Sequence, residues 1–170
     1  SVAVGEARAV RPSCVRAGIA LALLLACVPC LALQGVVTRV SDGDTLWLRP
    51  QGGGRPVKLR VQGIDAPELC QPWGRESHDR LRELVLARAV RVVEGPYDDH
   101  GRRLGRLLRG DVDIGAQLVR EGLAWSYRWR SHPGPYAAEE RAARAARRGL
   151  FADPAAMTPR AFRRAHGPCT

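Results

Sequence analysis

Short alternating hydrophobic runs occupy the first half of the chain after residue 33, and helical spacing dominates later. Runs rich in β-branched and alternating apolar residues, separated by Gly, Asp and Pro turns, are typical of strands. The five predicted strands lie at residues 36–40, 45–48, 57–64, 90–94 and 104–109. Between the third and fourth of these, Leu81, Leu84 and Val85 recur at helical spacing and predict a helix over residues 75–88.

Two further helices are predicted near the end of the chain. Residues 114–121 and 136–148 have helical patterns, and each pattern stops at a glycine, Gly122 or Gly149. Five short strands with a helix after the third predict an α+β fold with a mainly β core. The arrangement matches a five-stranded barrel of the oligonucleotide-binding type (OB-fold), decorated with about three helices. This topology alone does not determine a function.

The N-terminal segment has the pattern of a secretory signal. Arg8, Arg11 and Arg16 precede an uncharged, Leu- and Ala-rich stretch that ends in small residues. We therefore expect residues 1–32 to be a cleaved signal peptide, residues 33–157 to form the domain and residues 158–170 to be a basic tail. A lipoprotein signal around Cys27 and a retained membrane anchor are the alternatives, although Pro29 and the short apolar run disfavour a membrane span. The expected location is secreted or periplasmic, in a bacterium.

The overall charge is positive but does not identify one class of partner. The chain has 27 Lys and Arg against 17 Asp and Glu, a formal net charge of +10, and loss of residues 1–32 lowers it to +8. A charged fraction of 26% with 45% hydrophobic residues is typical of a globular chain and argues against a wholly disordered one. Excess positive charge favours an acidic partner, whether nucleic acid, anionic lipid or another polyanion.

Two cysteines, Cys70 and Cys169, remain after the signal segment. In an exported protein they are candidates for a disulfide, and two free thiols are the alternative. Zinc is not predicted, because the domain lacks paired Cys and His spacings.

Residues capable of chemistry cluster in three short segments, at residues 42–45, 60–68 and 98–102. Each has a structural interpretation: a tight turn for the first, a surface loop with a salt bridge for the second and a hairpin turn for the third. Taken together, the three segments also have a chemical interpretation. Two carboxylates and a carbonyl from separate loops suit a hard divalent cation, and a further carboxylate could accept a proton from water.

Together the three segments resemble a known family. In order, the chain reads Asp-Gly-Asp-Thr, then Arg-x-x-Gly-Ile-Asp-Ala-Pro-Glu, then Asp-x-x-Gly-Arg-x-Leu. This is similar to the staphylococcal nuclease (thermonuclease) family. The similarity continues through residues 119–124 and the late helix to Phe151, so it covers roughly residues 35–155.

The resemblance implies a calcium site. Its ligands would be the carboxylates of Asp44 and Asp65 and the backbone carbonyl of Ala66. Asp42 would lie near the metal and orient ligands or water without binding the ion directly.

The resemblance also implies catalytic and substrate-binding roles. Glu68 would be the general base, and Arg60 and Arg102 would bind phosphate. Tyr127 and Trp129 would stack on bases. His100 stands where the family often has a nucleotide-contacting tyrosine.

We therefore expect a secreted, calcium-dependent, sugar-nonspecific nuclease. It would act on DNA, RNA or both as a monomer and favour single-stranded or frayed substrate. A noncatalytic single-stranded nucleic-acid-binding module on the same fold is the alternative. A membrane-tethered polyanion binder would require the N-terminal segment to be retained.

Overall fold

The computed structural model describes residues 32–169 and shows eight strands, four α-helices and one 3₁₀ helix in that range. The strands are β1 (Leu33–Val40), β2 (Thr45–Pro50), β3 (Val57–Val61), β4 (Ile64–Asp65), β5 (Ala89–Tyr97), β6 (Arg103–Arg109), β7 (Val112–Asp113) and β8 (Trp125–Ser126). The helices are α1 (Gly74–Val85), α2 (Ile114–Arg120), α3 (Ala137–Ala145) and α4 (Pro159–His166), with the 3₁₀ helix at Gly149–Ala152. The predicted signal at residues 1–32 lies almost entirely outside the described residues.

The five long strands form a closed barrel. They follow the order β3-β2-β1-β5-β6, and β3 pairs with β6 in parallel to close the sheet. Alternate side chains fill the interior, among them Leu46, Leu59 and Leu107, each fully buried. The predicted barrel, with its helix between the third and fourth long strands, is confirmed.

The third strand ends earlier than predicted. It stops at Val61 because Gly63, with a φ of 84°, reverses the chain. Ile64 and Asp65 then pair with β8 instead of continuing along the barrel. This turn separates Arg60 on β3 from Asp65 on β4 and leaves both side chains at the same edge of the barrel.

Helix α1 packs into the main core through the residues whose spacing predicted it. Leu81, Leu84 and Val85 are buried in the main core. The helix ends at Val85 rather than at residue 88, and Leu86 is already extended. At α2, the Asp113 carboxylate accepts a hydrogen bond from the Ala116 backbone N–H at 3.1 Å and caps the helix start.

The segment after residue 157, whose order the sequence left open, contains helix α4. Thr158 caps its start and Phe162 is buried against the domain. A disulfide joins Cys169, beyond the helix, to Cys70 in the loop before α1. Across residues 32–169, every helix is too short or too polar to cross a membrane.

Candidate active site

The turn between β1 and β2 holds the first carboxylates. Asp42 Oδ1 accepts a hydrogen bond from the Asp44 backbone N–H at 3.0 Å, so Asp42 does serve as a turn residue. Thr45 Oγ1 donates to Asp44 Oδ1 at 3.1 Å. The second Asp44 oxygen accepts from the Ala66 backbone N–H at 3.2 Å, which connects this turn to the loop after β4.

Arg60 lies between two of the carboxylates. Its Nη2 atom is 3.0 Å from Asp44 Oδ2 and 3.0 Å from Asp65 Oδ1. Its Nη1 atom donates to the Ile64 carbonyl at 3.3 Å. Two carboxylates from separate elements therefore converge on one positively charged group.

The cluster carries more negative than positive charge. Burial, followed by repulsion from Asp44, raises the pKa of Asp42 to about 6. Burial and the same neighbour also raise the pKa of Asp65 to about 6, although Arg60 opposes the shift. Burial alone would lower the pKa of Arg60, but Asp44 and Asp65 raise it above the usual arginine value. Additional positive charge at this point would relieve the repulsion between the carboxylates.

The donor set fits a hard cation. Asp44 and Asp65 offer oxygen atoms that already share one cationic partner, and oxygen is the ligand that Ca²⁺ prefers. Ala66 is buried and lines the same cleft. Within residues 32–169, no set of three or more His, Cys, Asp or Glu side chains is arranged to hold a metal ion. The expected calcium site has only two such side chains, Asp44 and Asp65, because its third ligand is the Ala66 backbone carbonyl.

Glu68 lies in the loop between β4 and α1, and its carboxylate is bound by Arg163 of helix α4. Sequence reasoning missed Arg163 at this site. The two residues are 95 positions apart, and no local pattern links a basic tail residue to a loop carboxylate. Lys58, on β3, also lines the cleft without having been predicted.

Arg102 is held by its own hairpin turn. Its Nε donates to Asp98 Oδ2 at 2.7 Å. Asp98 Oδ1 accepts from the backbone N–H groups of His100 and Arg102, each at 2.9 Å. The third segment is thus a hairpin turn, as its structural interpretation held, and the turn also orients the Arg102 guanidinium.

These groups line one cleft of about 550 Å³. The predicted residues at its wall are Asp42, Asp44, Arg60, Asp65, Ala66, Glu68, His100 and Arg102. Tyr127 and Trp129 line a neighbouring pocket instead, together with Tyr136. The two pockets are linked by Arg60, whose guanidinium carbon is 5.9 Å from the centre of the Tyr127 ring.

The fold and cleft define a class: an OB-type barrel that carries arginines and convergent carboxylates at one edge. Comparison with known proteins agrees. Residues 58–153 match the family model described as staphylococcal nuclease homologue. The chain is 35% identical over 162 residues to "Micrococcal nuclease" of Shigella flexneri, covering 88% of this chain and 92% of the relative. It is 34% identical over 128 residues to an "Uncharacterized endonuclease" of Haemophilus influenzae, covering 75% of this chain and 71% of the relative. The chain belongs to the staphylococcal nuclease family.

Proposed function

We propose that the protein is a calcium-dependent nuclease that hydrolyses phosphodiester bonds in DNA, RNA or both. The convergence of Asp44 and Asp65 on one point, with Arg60, Arg102 and Glu68 around the same cleft, carries the proposal. The nuclease names of the relatives support it. A module that only binds nucleic acid has no need for a buried, mutually repelling set of carboxylates beside its arginines.

The arginines of the cleft suit the charge that develops during hydrolysis. Attack of a water oxygen on phosphorus places extra negative charge on the nonbridging oxygens before one P–O ester bond breaks. Planar guanidinium groups donate two parallel hydrogen bonds to such oxygens and keep their charge. In this role Arg60 and Arg102 bind the phosphate and stabilise the transition state.

Glu68 accepts the proton that the attacking water loses, a contribution of roughly 10²–10⁴-fold. Asp44, Asp65 and the Ala66 carbonyl would hold Ca²⁺, which supplies Lewis-acid stabilisation of a phosphate oxygen when bound. Asp42 keeps the β1–β2 turn in place through its hydrogen bond to the Asp44 backbone.

Export is part of the proposal. The signal-like pattern of residues 1–32 and the disulfide between Cys70 and Cys169 both suit an oxidising compartment. Tyr127 and Trp129, on the neighbouring pocket, are proposed to contact bases of a single-stranded or frayed substrate.

One assay tests the proposed chemistry. Single-stranded DNA is incubated with the protein in Ca²⁺, in a chelator, and in chelator followed by excess Ca²⁺. We expect cleavage in the first and third conditions only. Asp65→Ala should abolish calcium-dependent cleavage, whereas Asp111→Ala, an exposed acid away from the cleft, should cleave like the wild type.

Equal degradation with and without chelator, or full activity of Asp65→Ala, would refute the metal assignment. Binding of the DNA without cleavage in any condition would instead identify a noncatalytic nucleic-acid-binding module.

A further inference from the structure

Helix α4 is attached to the loop that carries Glu68. The Cys70–Cys169 disulfide, with a Cα–Cα distance of 5.7 Å, is the covalent link. The buried Gln71 side chain donates from Nε2 to the Met157 carbonyl at 2.6 Å and accepts from the Glu68 backbone N–H at 3.2 Å. The Arg163–Glu68 ion pair is the third link. These contacts fix α4 at the cleft rather than elsewhere on the domain.

Arg163 is bound by a different carboxylate from those that bind Arg60 and Arg102, the two residues predicted to bind phosphate. Arg60 is bound by Asp44 and Asp65, and Arg102 is bound by Asp98. Arg163 contacts Glu68 through one Nη atom, and its side chain remains 47% exposed. A guanidinium has five N–H donors, so this contact leaves donors for a second anion.

The position of Arg163 suits the backbone of a nucleic-acid strand. It lines the cleft on the Glu68 side, together with Arg60 and Arg102. A strand whose cleaved phosphate is bound by those two arginines carries further phosphates on either side. Arg163 also lies beyond residue 153, where the match to the family model ends.

We propose that Arg163 is a third phosphate-binding residue, which contacts a phosphate next to the one that is cleaved, and that the Cys70–Cys169 disulfide positions it. The proposal rests on the proposed function, because it assigns the substrate as a nucleic-acid strand in this cleft. It adds a helix from the end of the chain to the substrate-binding surface.

A binding assay under conditions that prevent cleavage tests the proposed role of Arg163 directly. Affinity for a fluorescein-labelled oligothymidylate is measured by fluorescence anisotropy in chelator, at several salt concentrations. We expect Arg163→Ala to bind about tenfold more weakly, the scale of one lost charge-assisted hydrogen bond. The slope of log affinity against log salt should shrink by about 0.7, as for one lost phosphate contact on a single strand.

Arg164→Ala is the matched control, because Arg164 is an exposed neighbour on the same helix that does not line the cleft. It should lose less affinity than Arg163→Ala. The double variant Cys70→Ser/Cys169→Ser should bind as weakly as Arg163→Ala, and adding Arg163→Ala to it should cause little further loss. Circular dichroism confirms that each variant is folded.

Unchanged or tighter binding by Arg163→Ala would overturn the proposal. Full affinity in the cysteine double variant would overturn the role of the disulfide. A protein that shows the Arg163 effect but never cleaves DNA in Ca²⁺ would refute the nuclease and leave the phosphate contact standing.

Discussion

Arg60 is the residue through which the separate parts of the cleft meet. Its two Nη atoms contact Asp44, Asp65 and the Ile64 carbonyl, so one planar group spans the β1–β2 turn and the start of β4. A lysine has a single charged nitrogen and cannot present donors in this fixed plane. Charge alone therefore does not reproduce what Arg60 does.

We expect Arg60→Lys to lose roughly 10²–10³-fold in kcat, the usual scale for removing one oriented donor to a developing negative charge. Steady-state cleavage of single-stranded DNA in Ca²⁺ measures it. Arg91→Lys, at an exposed site on β5, is the matched control. Near-normal turnover by Arg60→Lys would show that bidentate binding is not needed.

Sequence reasoning placed most of the cleft residues because three local motifs carry them. The acids of residues 42–45 and 60–68 line one cleft together with Arg60 and Arg102. It missed Lys58 and Arg163, which belong to no motif. For Arg163 the decisive information is tertiary, since Cys70, Gln71 and Glu68 position its helix.

At the scale of elements, the β1–β2 turn contacts helix α1 at Gly43. A Cβ atom added to Gly43 would lie 2.2 Å from Ser77 Oγ and 2.7 Å from the Ala66 Cβ. Ser77 is fully buried, and its hydroxyl has no hydrogen-bond partner among the described residues. The glycine therefore permits the turn that carries Asp44 to lie in close contact with Ser77 of helix α1.

Gly43→Ala should lower the free energy of unfolding by about 1–3 kcal/mol, the usual cost of overpacking, and reduce cleavage by displacing Asp44. Urea denaturation and the DNA assay measure the two effects. Gly52→Ala is the control, because nothing lies within 4 Å of its added Cβ. Wild-type stability and activity in Gly43→Ala would contradict the proposed packing constraint.

The strands and the first three helices were predictable because each carries its own periodic pattern. The exceptions are strands β4 and β8 and helix α4, which depend on tertiary contacts and not on a periodic sequence pattern. Strand β4 pairs with β8, and both have only two residues. Helix α4 is eight residues long, and buried Phe162 and the disulfide hold it in place.

For the whole molecule, the Cys70–Cys169 disulfide spans 99 positions and encloses most of the domain. In the chain-entropy description, such a link restricts the unfolded chain strongly. The disulfide therefore stabilises the folded domain in addition to holding α4 at the cleft.

The double variant Cys70→Ser/Cys169→Ser should therefore lower the free energy of unfolding by about 2–4 kcal/mol. Urea denaturation of oxidised wild type and variant measures it, and wild type with reductant should match the variant. Equal unfolding midpoints in all three would exclude a stabilising role for the bond.

The parallel pairing of β3 with β6 has a consequence for the order of assembly. Arg60 lies opposite Leu104 in this pairing, and Arg102 immediately precedes β6, so the two arginines proposed to bind phosphate lie in and next to the seam that closes the barrel. A ribosome-bound chain that has not yet reached residue 102 has Arg60 but lacks Arg102. Parallel pairing between distant segments is a slow event in folding. We therefore expect the site and the sealed barrel to form together, so that cleavage of DNA in Ca²⁺ returns during refolding at the rate at which the barrel closes.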